Sequence, residues 1–447
     1  MPFPSPAPLS SLLLAAVCAA AAPLACAAGL ATHSVQLELP EGVAHKAPFD
    51  QPRKLTVPDG YHAELLARVP NARFLALAPN GDLLVSQPEQ GRITIVASNA
   101  QGRTQQAQFA SGLSKPHDMV FHRLGDTLWL YVAEANRVVR SAWRNGQKEM
   151  GKPEVVVDHL PSASSPELKG RYGHELKNIA LDGDKLYVSI ASTCNACESD
   201  VKADPVRGAI YEYDANGGKG RLFARGIRNA EGLAFRPGTR ELWAVVNNRD
   251  NIAYPFHKDF DGDGSDDYGK VMQAYVDRNP PELLIKVRDG DNYGWPYCNS
   301  DGASGMDNMP YVRDAQHNAD GSKLDCSKLP RPAKGLPPHS APLGMSFLPP
   351  QGMPKALAGG LAVALHGCWN CSSLNGHKVV LHRIDAQGKV ADEADLVSGW
   401  LTDAKKRQRW GRPVDVIPDG KGGLYISDDE AGAVYRIRPA TSDNNNR

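Results

Sequence analysis

Four side chains that could do chemistry stand at comparable points in different parts of this 447-residue chain: His174, Arg228, Lys378 and Arg412. Each lies just before, or at the start of, an apolar segment with the composition of a β-strand. A neutral imidazole can take a proton from a hydroxyl group, because its pKa lies near the working pH. Arginine and lysine attract carboxylates and developing oxyanions. Gathered by the fold, these four side chains form a pocket for a polyanionic ligand.

An acidic stretch, DFDGDGSDD (259–267), is a second candidate site. Asp259, Asp261 and Asp263 alternate, and a glycine takes the sixth position, as in the first half of an oxygen-rich calcium loop. Lys270 occupies the twelfth position, where such a loop has a bidentate glutamate. The full calcium-loop signature therefore fails. A calcium site completed by other residues and a merely acidic surface loop both stay open.

Cysteine spacing gives a third candidate group. Two of the eight cysteines lie near the N-terminus, and the other six include two pairs with CxxC spacing: Cys194 with Cys197, Cys298, Cys326, and Cys368 with Cys371. Covalent haem is rejected, because no histidine follows the second cysteine of either pair. A four-thiolate zinc site is open on spacing alone. An even number of cysteines in an exported protein favours disulfides, including one between Cys298 and Cys326.

The elements that must position these residues come from a repeat. Six stretches each contain an apolar strand, usually a turn with glycine, and a second apolar strand. Their spacing is roughly 45–60 residues with one longer interval of about 120, which is typical of propeller blades. We therefore predict an all-β, six-bladed β-propeller whose loops converge over a central funnel. The stretches begin at residues 74, 117, 176, 230, 343 and 413.

The predicted domain organisation follows from this repeat. Residues 1–28 are a signal peptide, 29–55 an extended lead-in, 56–438 the propeller, and 439–447 a C-terminal tail. Two insertions are expected inside the propeller, a calcium-loop insertion at about 251–290 and a cysteine-bearing one at about 296–338. The 42% hydrophobic content is enough for a large core. The 50 acidic and 50 basic residues balance, which argues against a nucleic-acid partner.

The N-terminal segment resembles a secretory leader. LSSLLLAAVCAAAAPLACAAG (9–29) is an apolar run that ends in small residues, and cleavage near Ala27 or Ala28 fits it. An uncleaved membrane anchor is the alternative, and no other stretch is long and apolar enough to span a bilayer. We expect a periplasmic or secreted protein with no stable membrane insertion after cleavage.

Several motifs occur in order along most of residues 56–438 and resemble the glucose/sorbosone dehydrogenase family. They are GHELKNIALDGDKLYVS, CNACE, FARGIRNAEGLAF, ELWAVVNNRD, GDNYGWPYC, ALHGCWN and GRPVDV. The resemblance implies a six-bladed propeller that binds pyrroloquinoline quinone (PQQ) with calcium and oxidises aldoses. It also implies that electrons pass to an external acceptor, a quinone or a cytochrome. The sorbosone-like branch is the better match.

The resemblance assigns roles to individual residues. His174 matches the general base, and Arg228 the arginine beside the reactive quinone carbonyl. Asn229, Lys378 and Arg412 match cofactor-binding positions, with His377 as the competitor of Lys378. The calcium that accompanies the cofactor matches the backbone carbonyls of Asn247 and Asn248. A second, structural calcium matches Glu282 and Tyr293.

Three positions depart from the pattern of the glucose-oxidising members. Ser192 stands where they have an aspartate that orients the base, and Val414 replaces an arginine that helps bind PQQ. His117 stands roughly where a glutamine contacts the sugar or the cofactor. These changes bear on sugar specificity and on PQQ affinity, and they leave the predicted fold unaltered.

The function expected from the sequence is oxidation of an aldose or sugar aldehyde by hydride transfer to PQQ. Two rivals share the architecture, a calcium-dependent lactonase-like hydrolase and a non-catalytic binding propeller. The hydrolase needs carboxylates and an asparagine around a central metal, whereas the chain offers basic residues and His174. Because propellers host unrelated activities, the fold alone cannot separate the three.

Overall fold

The computed structural model describes residue 1 and residues 29–40, 46–98 and 103–440. The predicted signal peptide therefore lies outside the described residues apart from Met1, as does most of the predicted tail. The described chain is nearly all β, with a single α-helical turn, α1 (Gln273–Val276). None of the helices in the described part has the length and apolar character that a membrane span requires.

Three strands precede the first complete blade, and they are β1 (Thr32–Gln36), β2 (Lys54–Pro58) and β3 (Tyr61–Arg68). The next twelve strands form three four-stranded antiparallel blades. In chain order they are β4 (Leu75–Leu77), β5 (Leu83–Gln87), β6 (Arg92–Ser98) and β7 (Thr104–Ala110); β8 (Met119–Leu124), β9 (Thr127–Ala133), β10 (Val138–Ala142) and β11 (Glu154–Val157); β12 (Ile179–Asp182), β13 (Lys185–Ile190), β14 (Ala209–Asp214) and β15 (Arg221–Arg225).

The last three blades carry the insertions. Their strands are β16 (Asn229–Phe235), β17 (Leu242–Asn247), β18 (Glu282–Val287), β19 (Cys298–Ser300), β20 (Tyr311–Arg313) and β21 (Lys334–Leu336); β22 (Pro342–Phe347), β23 (Leu361–Leu365), β24 (Lys378–Ile384) and β25 (Val390–Val397); β26 (Leu401–Asp403), β27 (Gln408–Arg409), β28 (Pro413–Pro418), β29 (Leu424–Asp428) and β30 (Ala433–Pro439). The pairs β19–β20 and β26–β27 are hairpins outside the blades. Since β18 and β21 belong to the fourth blade, the two insertions end earlier than predicted.

The six-bladed propeller is confirmed. The first strands of successive blades, β4, β8, β12, β16, β22 and β28, contact one another in a closed ring. They line a cavity of about 330 Å³ on the axis. The ring is fastened by β3, which pairs with β30 as the fourth strand of the sixth blade. N- and C-terminal segments thus share one sheet, and this pairing closes the ring of blades.

Local sequence explains each blade. In the third blade, the segment LDGDKLYVS folds as a two-residue hairpin in which Asp182 pairs with Lys185. Gly183 in that turn has a φ of 58°, the left-handed value that such tight turns require. Ile179, Leu186 and Val188 then pack against residues of the neighbouring second blade in one buried cluster. Alternating apolar residues and a glycine turn therefore suffice to build the blade.

Buried carboxylates tie adjacent blades together at the ends of the innermost strands. Asp118 accepts the backbone N–H of Met119 at 2.7 Å and that of Ile179, in the next blade, at 2.9 Å. Asp415 does the same for its own blade and accepts the N–H of Leu75 at 2.9 Å across the closure. Burial raises the pKa of both carboxyls to about 7. These bonds fix where the innermost strands begin, and the candidate site lies at that level.

All six described cysteines form disulfides, Cys194–Cys197, Cys298–Cys326 and Cys368–Cys371. The preference for disulfides over a four-thiolate zinc site is confirmed. The two CxxC bridges close very short loops beside the candidate site, whereas the third ties the hairpin β19–β20 to the segment before β21.

Candidate active site

Basic and imidazole side chains gather at one end of the propeller axis, which we call the upper face. All six innermost strands run in the same direction, so the residues that precede them meet at this end. Five blades place a basic residue or a histidine one or two positions before the innermost strand: Arg73, His117, Lys177, Arg228 and Arg412. With His174 and His366 they form what we call the axial cluster.

His174 lies in the loop before β12, and its Nδ1 is 2.9 Å from both the carbonyl oxygen and the hydroxyl of Ser192. A carbonyl oxygen only accepts, so Nδ1 carries the proton and Nε2 keeps a free lone pair. Burial, reinforced by the positive charge of Arg228, lowers the pKa of His174 to about 4. The imidazole is therefore neutral at physiological pH, in the tautomer that a general base needs.

Arg228 is almost fully buried next to His174. Its Nε donates to the carbonyl of Asn195 at 3.1 Å, and its Nη2 donates to the carboxylate of Asp250 at 2.8 Å. Nη1 lies 3.4 Å from the carbonyl oxygen of Asn247. Asn229 turns the other way and donates to Glu231 at 3.0 Å. The guanidinium is thus held in one orientation from three sides.

Asp250 links Arg228 to His339. Its Oδ1 is 3.6 Å from Nδ1 of His339. Burial opposes ionisation of Asp250, but His339 and Arg228 outweigh it and hold the pKa of this carboxyl below its usual value. Glu282 nearby accepts the backbone N–H of Asn248 at 2.5 Å, and burial raises its pKa to about 7.

Two of the predicted calcium ligands are far apart. Glu282 opens β18, whereas the hydroxyl of Tyr293 donates to the carbonyl of Lys286 at 2.5 Å. Four residues of extended strand separate those contacts by on the order of 13 Å. Tyr293 packs in the apolar core between the third and fourth blades. The Tyr293 hydroxyl therefore does not lie beside the Glu282 carboxylate, because the aromatic ring packs in the core next to the opposite end of β18.

The opposite side of the axis holds a second group that the sequence did not single out. His366 Nε2 is 2.9 Å from one oxygen of Asp429, and Arg73 Nη1 is 2.9 Å from the other. Burial opposes ionisation of Asp429, but His366 and Arg73 outweigh it and hold its pKa below the usual range. Arg412 donates to the carbonyls of His366 and Gly367 at 3.0 and 2.9 Å.

The centre of the axial cluster is polar and fully buried. His117 places Nδ1 3.2 Å from the carbonyl of Lys177 and Nε2 3.9 Å from Glu231. Burial lowers the pKa of His117 well below its ordinary value and that of Lys177 to about 7. Several buried polar atoms here and around the cluster have no hydrogen-bond partner: Arg73 Nε, His117 Nε2, both amide atoms of Asn178, Glu231 Oε2, Asn247 Oδ1 and His377 Nε2.

Lys378 does not join the axial cluster. Its ammonium group is 2.6 Å from Asp395 and 3.2 Å from Glu393, both on the outermost strand β25 of the same blade. These two carboxylates draw the side chain away from the axis. His377, the competitor from the sequence, is buried, and burial together with Arg412 lowers its pKa to about 4. His377 is therefore the residue that this turn directs toward the cluster.

The acidic insertion forms a compact loop outside the axial cluster. Ligand oxygens of Asp259, Asp261 and Asp267 lie within 4.8 Å of one another, as a metal site requires. Asp263 is not in this group and accepts the N–H of Ser265. Lys270 also binds the loop, with Nζ 2.7 Å from Asp267. The alternating pattern thus located the acidic loop but missed Asp267, which occupies the ninth position.

Sequence reasoning missed Arg73, Lys177 and His366 of the axial cluster, and also Asp250 and Asp429, the aspartates that bind its arginines. One signal was available, since Arg73 stands before the first repeat as Arg412 stands before the last. His366 lies inside the ALHGCWN motif, to whose histidine the resemblance assigned no role. The two aspartates gave no signal, because they act through partners that are distant in sequence.

Comparison with known proteins identifies relatives of this chain. A Borreliella burgdorferi protein without an assigned function is 28% identical over 283 residues, 62% of each chain. A PQQ-dependent pyranose dehydrogenase of Coprinopsis cinerea is 29% identical over 255 residues, 49% of this chain and 31% of that protein. The chain therefore spans less than two thirds of the length of the curated relatives it matches.

Solved structures share the fold. The holo PQQ domain of the Coprinopsis cinerea pyranose dehydrogenase superposes with a TM-score of 0.69 at 18% identity, covering 90% of this chain and all of that one. The apo soluble aldose sugar dehydrogenase of Escherichia coli gives 0.57 at 16% identity, covering 85% and 99%. The TrAA12-like family model matches residues 55–440. This is the whole propeller, and the chain belongs to the TrAA12-like family.

Proposed function

We propose that this protein is a quinoprotein oxidoreductase that oxidises a sugar, with PQQ held at the axial cluster. The observation that carries the proposal is the convergence of three arginines, Arg73, Arg228 and Arg412, with neutral imidazoles at one end of the axis. The 29% identity to a PQQ-dependent pyranose dehydrogenase supports it, and the aldose sugar dehydrogenase named above shares the fold. A binding propeller does not need a buried imidazole with a fixed free lone pair.

The buried polar atoms without partners are the test of fit. A buried donor or acceptor left unpaired costs about 1–3 kcal/mol, so a group of them indicates a polar ligand. Arg73 Nε and the amide of Asn178 offer donors, and Asn247 offers an acceptor. PQQ carries carboxylates, which match guanidinium forks. Arg73 and Arg412 would hold those carboxylates, and bound PQQ would supply the acceptor for two electrons.

Proton transfer is assigned to His174. Nε2 of this residue is free to accept the proton of a sugar hydroxyl, while the Ser192 carbonyl holds Nδ1–H and keeps the ring in place. Ser192 cannot stabilise the imidazolium as an aspartate does. Asp250 supplies part of that stabilisation from a distance, since its charge raises the pKa of His174. The base is therefore weak but correctly protonated for the task.

Arg228 is assigned to charge stabilisation. Its guanidinium faces His174 closely enough to lower the pKa of that residue, so it stands where negative charge develops during proton removal. The contacts to Asn195 and Asp250 fix its orientation before substrate arrives. A preorganised donor of this kind needs no rearrangement at the moment of reaction.

Calcium remains part of the proposal. Asn247 ends β17 with its carbonyl beside Arg228, Asn248 follows it, and oxygen ligands suit this ion. The loop of Asp259, Asp261 and Asp267 is a separate candidate for a structural calcium. Lys270 neutralises part of its charge, so the ion must compete with an ammonium group of the same loop.

The remaining features of the proposal come from the sequence. The leader-like N-terminus supports export to the periplasm or the outside, and export supports an external electron acceptor, a quinone or a cytochrome. The motifs support a sorbosone-like aldose or sugar aldehyde as substrate.

Reconstitution tests the proposal. Purified apoprotein is titrated with PQQ, with and without calcium, and retention of quinone absorbance after gel filtration is measured. A panel of aldoses and sugar aldehydes is then assayed with a dye acceptor. We expect stoichiometric PQQ retention and dye reduction. Loss of PQQ on the column together with no dye reduction for any sugar would rule out the oxidoreductase.

A further inference from the structure

Trp369 is exposed on the upper face, unlike every other tryptophan of the chain. Its side chain is 64% exposed, whereas Trp129 is half-buried and the other five tryptophans are buried. Leaving a large indole in water forfeits the stabilisation that its burial provides. A lone exposed apolar residue needs no explanation by itself, so the argument rests on how and where this one is held.

The backbone around Trp369 is fixed at three successive carbonyls. Arg407 donates to the carbonyls of Trp369 and Cys371 at 2.9 and 2.5 Å. Gln273 donates to the carbonyl of Asn370 at 2.8 Å. The Cys368–Cys371 disulfide closes the same turn. An indole on such a loop loses little conformational entropy when a ligand binds, which is the condition for a preorganised contact surface.

The loop that carries Trp369 bridges the two sides of the axial cluster. At its start, the carbonyls of His366 and Gly367 accept hydrogen bonds from Arg412. At its end, the amide of Asn370 lies 3.5 Å from Asp250, whose carboxylate binds Arg228 at 2.8 Å. Trp369 therefore stands at the rim of the candidate site, one residue from this network.

The segments that contact the Trp369 loop carry apolar and amide groups. Val271, which is 53% exposed, lies two residues before Gln273, and Gln273 contacts the same loop. The amide nitrogen of Asn370 is 3.5 Å from the amide oxygen of Asn251. A sugar ring presents an apolar C–H face and a rim of hydroxyl groups. An exposed indole beside side-chain amides offers a partner for each.

We infer that Trp369 is a stacking platform for a second sugar ring, so that the substrates of this enzyme include oligosaccharides. Arg228 is buried and His174 is half-buried beside it, whereas Trp369 is 64% exposed at the rim, so the two positions lie at different depths. A terminal ring reaches the axial cluster while the next ring stacks on the indole. The inference rests on the proposed function for the oxidation but not for the binding of the second ring.

Binding to the apoprotein is the first test. Cellotetraose, maltotetraose and glucose are titrated by calorimetry, and the indole N–H signals are followed by NMR. We expect at least one tetrasaccharide to bind more tightly than glucose and to shift the Trp369 signal. Trp369→Ala should weaken that binding about tenfold, and Trp369→Phe should weaken it less. Val155→Ser, which removes another exposed apolar side chain, should leave it unchanged.

Kinetics of the PQQ-loaded enzyme are the second test. Trp369→Ala should raise KM for the tetrasaccharide and leave glucose turnover and the KM of the electron acceptor unchanged. A raised acceptor KM with unchanged sugar KM would overturn the inference and make Trp369 an acceptor-docking residue. Equal affinity of wild type for glucose and both tetrasaccharides would also overturn it. A wild type that binds a tetrasaccharide through Trp369 yet oxidises no sugar would refute the proposed function alone.

Discussion

On one side of the axis, the imidazole of His174 is hydrogen-bonded to the neutral oxygens of Ser192. The nearby carboxylate of Asp250 is bound by Arg228. On the other side, the imidazole of His366 binds a carboxylate directly, and that carboxylate, Asp429, is shared with Arg73. Both sides thus contain a histidine, an aspartate and an arginine, joined in different orders.

The two histidines have similar pKa values but different charged neighbours. Burial lowers the pKa of both histidines to about 4, despite the carboxylate that His366 has and His174 lacks. His174 has an arginine as its first charged neighbour, so its surroundings favour the neutral ring and stabilise an adjacent anion. His366 instead has the carboxylate of Asp429 as its first charged neighbour. The cations on that side are Arg73 and Arg412. In the proposed function, the first side therefore serves proton transfer and the second side cofactor anchoring.

Exchanging the two imidazoles for alanine is the strongest way to break this comparison. His174→Ala should lower kcat by about 10²–10⁴-fold, the usual contribution of a general base, with PQQ still bound. His366→Ala should weaken PQQ binding and lower kcat less once the cofactor is saturating. The measurements are steady-state kinetics at saturating PQQ and an equilibrium PQQ titration.

The reverse pattern would exchange the roles of the two sides. Full turnover in His174→Ala with a large kcat loss in His366→Ala would make the carboxylate-bound imidazole the base. The matched control is His122→Ala, because His122 Nε2 donates to the carbonyl oxygen of Gly183 at 2.7 Å, at the end of β8 away from the axial cluster.

Arg228 gives the next largest effect. Arg228→Ala should slow cofactor reduction by roughly 10²–10³-fold in stopped-flow measurements, the usual loss for one preorganised donor. The same change should raise the pKa of His174, because the positive charge that disfavours the imidazolium is gone. An NMR titration of the apoprotein checks this shift independently of turnover. An unchanged or lower pKa of His174 would show that Arg228 does not face it.

Much of the fold could be predicted from the sequence because each blade is local. Strand, glycine turn and strand follow one another within a few residues, and the same pattern occurs six times. The closing pair of β3 with β30 could not be read this way, since its partners are more than 360 residues apart in sequence. The insertion boundaries were also misplaced, because β18 and β21 carry no repeat motif of their own.

The candidate site was predictable only in part, for a physical reason. Arg228 and Arg412 were found because they precede innermost strands, and that position alone decides that they face the axis. Lys378 opens β24, the third strand of its blade, where neighbouring carboxylates decide the direction of the side chain. Asp250 and Asp429 matter through partners that only the closed ring brings close.

Asp429→Asn sharpens the contrast by removing the carboxylate charge that binds the imidazole directly on the second side. The pKa of His366 should fall further, because Asp429 is the group that raises it most. The pKa of His174 should stay where it is. Both are measured by NMR titration of the apoprotein, with Asp250→Asn as the mirror variant, which should lower the pKa of His174. Equal shifts of both histidines in either variant would contradict the separation of the two sides.

A substitution of Lys378 should give the smallest effect. It tests whether Lys378 binds PQQ, as the resemblance implies, or stays paired on the outer strand, as in the structure. Its ammonium group is paired with Glu393 and Asp395 on the outer strand, and partly exposed pairs of this kind contribute about 0–1 kcal/mol. Lys378→Met should therefore lower thermal stability slightly and leave PQQ affinity within about twofold, whereas Arg412→Ala should weaken PQQ binding clearly. A tenfold loss of affinity in Lys378→Met would mean that PQQ draws this side chain to the axis on binding. In that case PQQ binding itself would bring Lys378 to the second side, and the contacts described here would be those before PQQ binds.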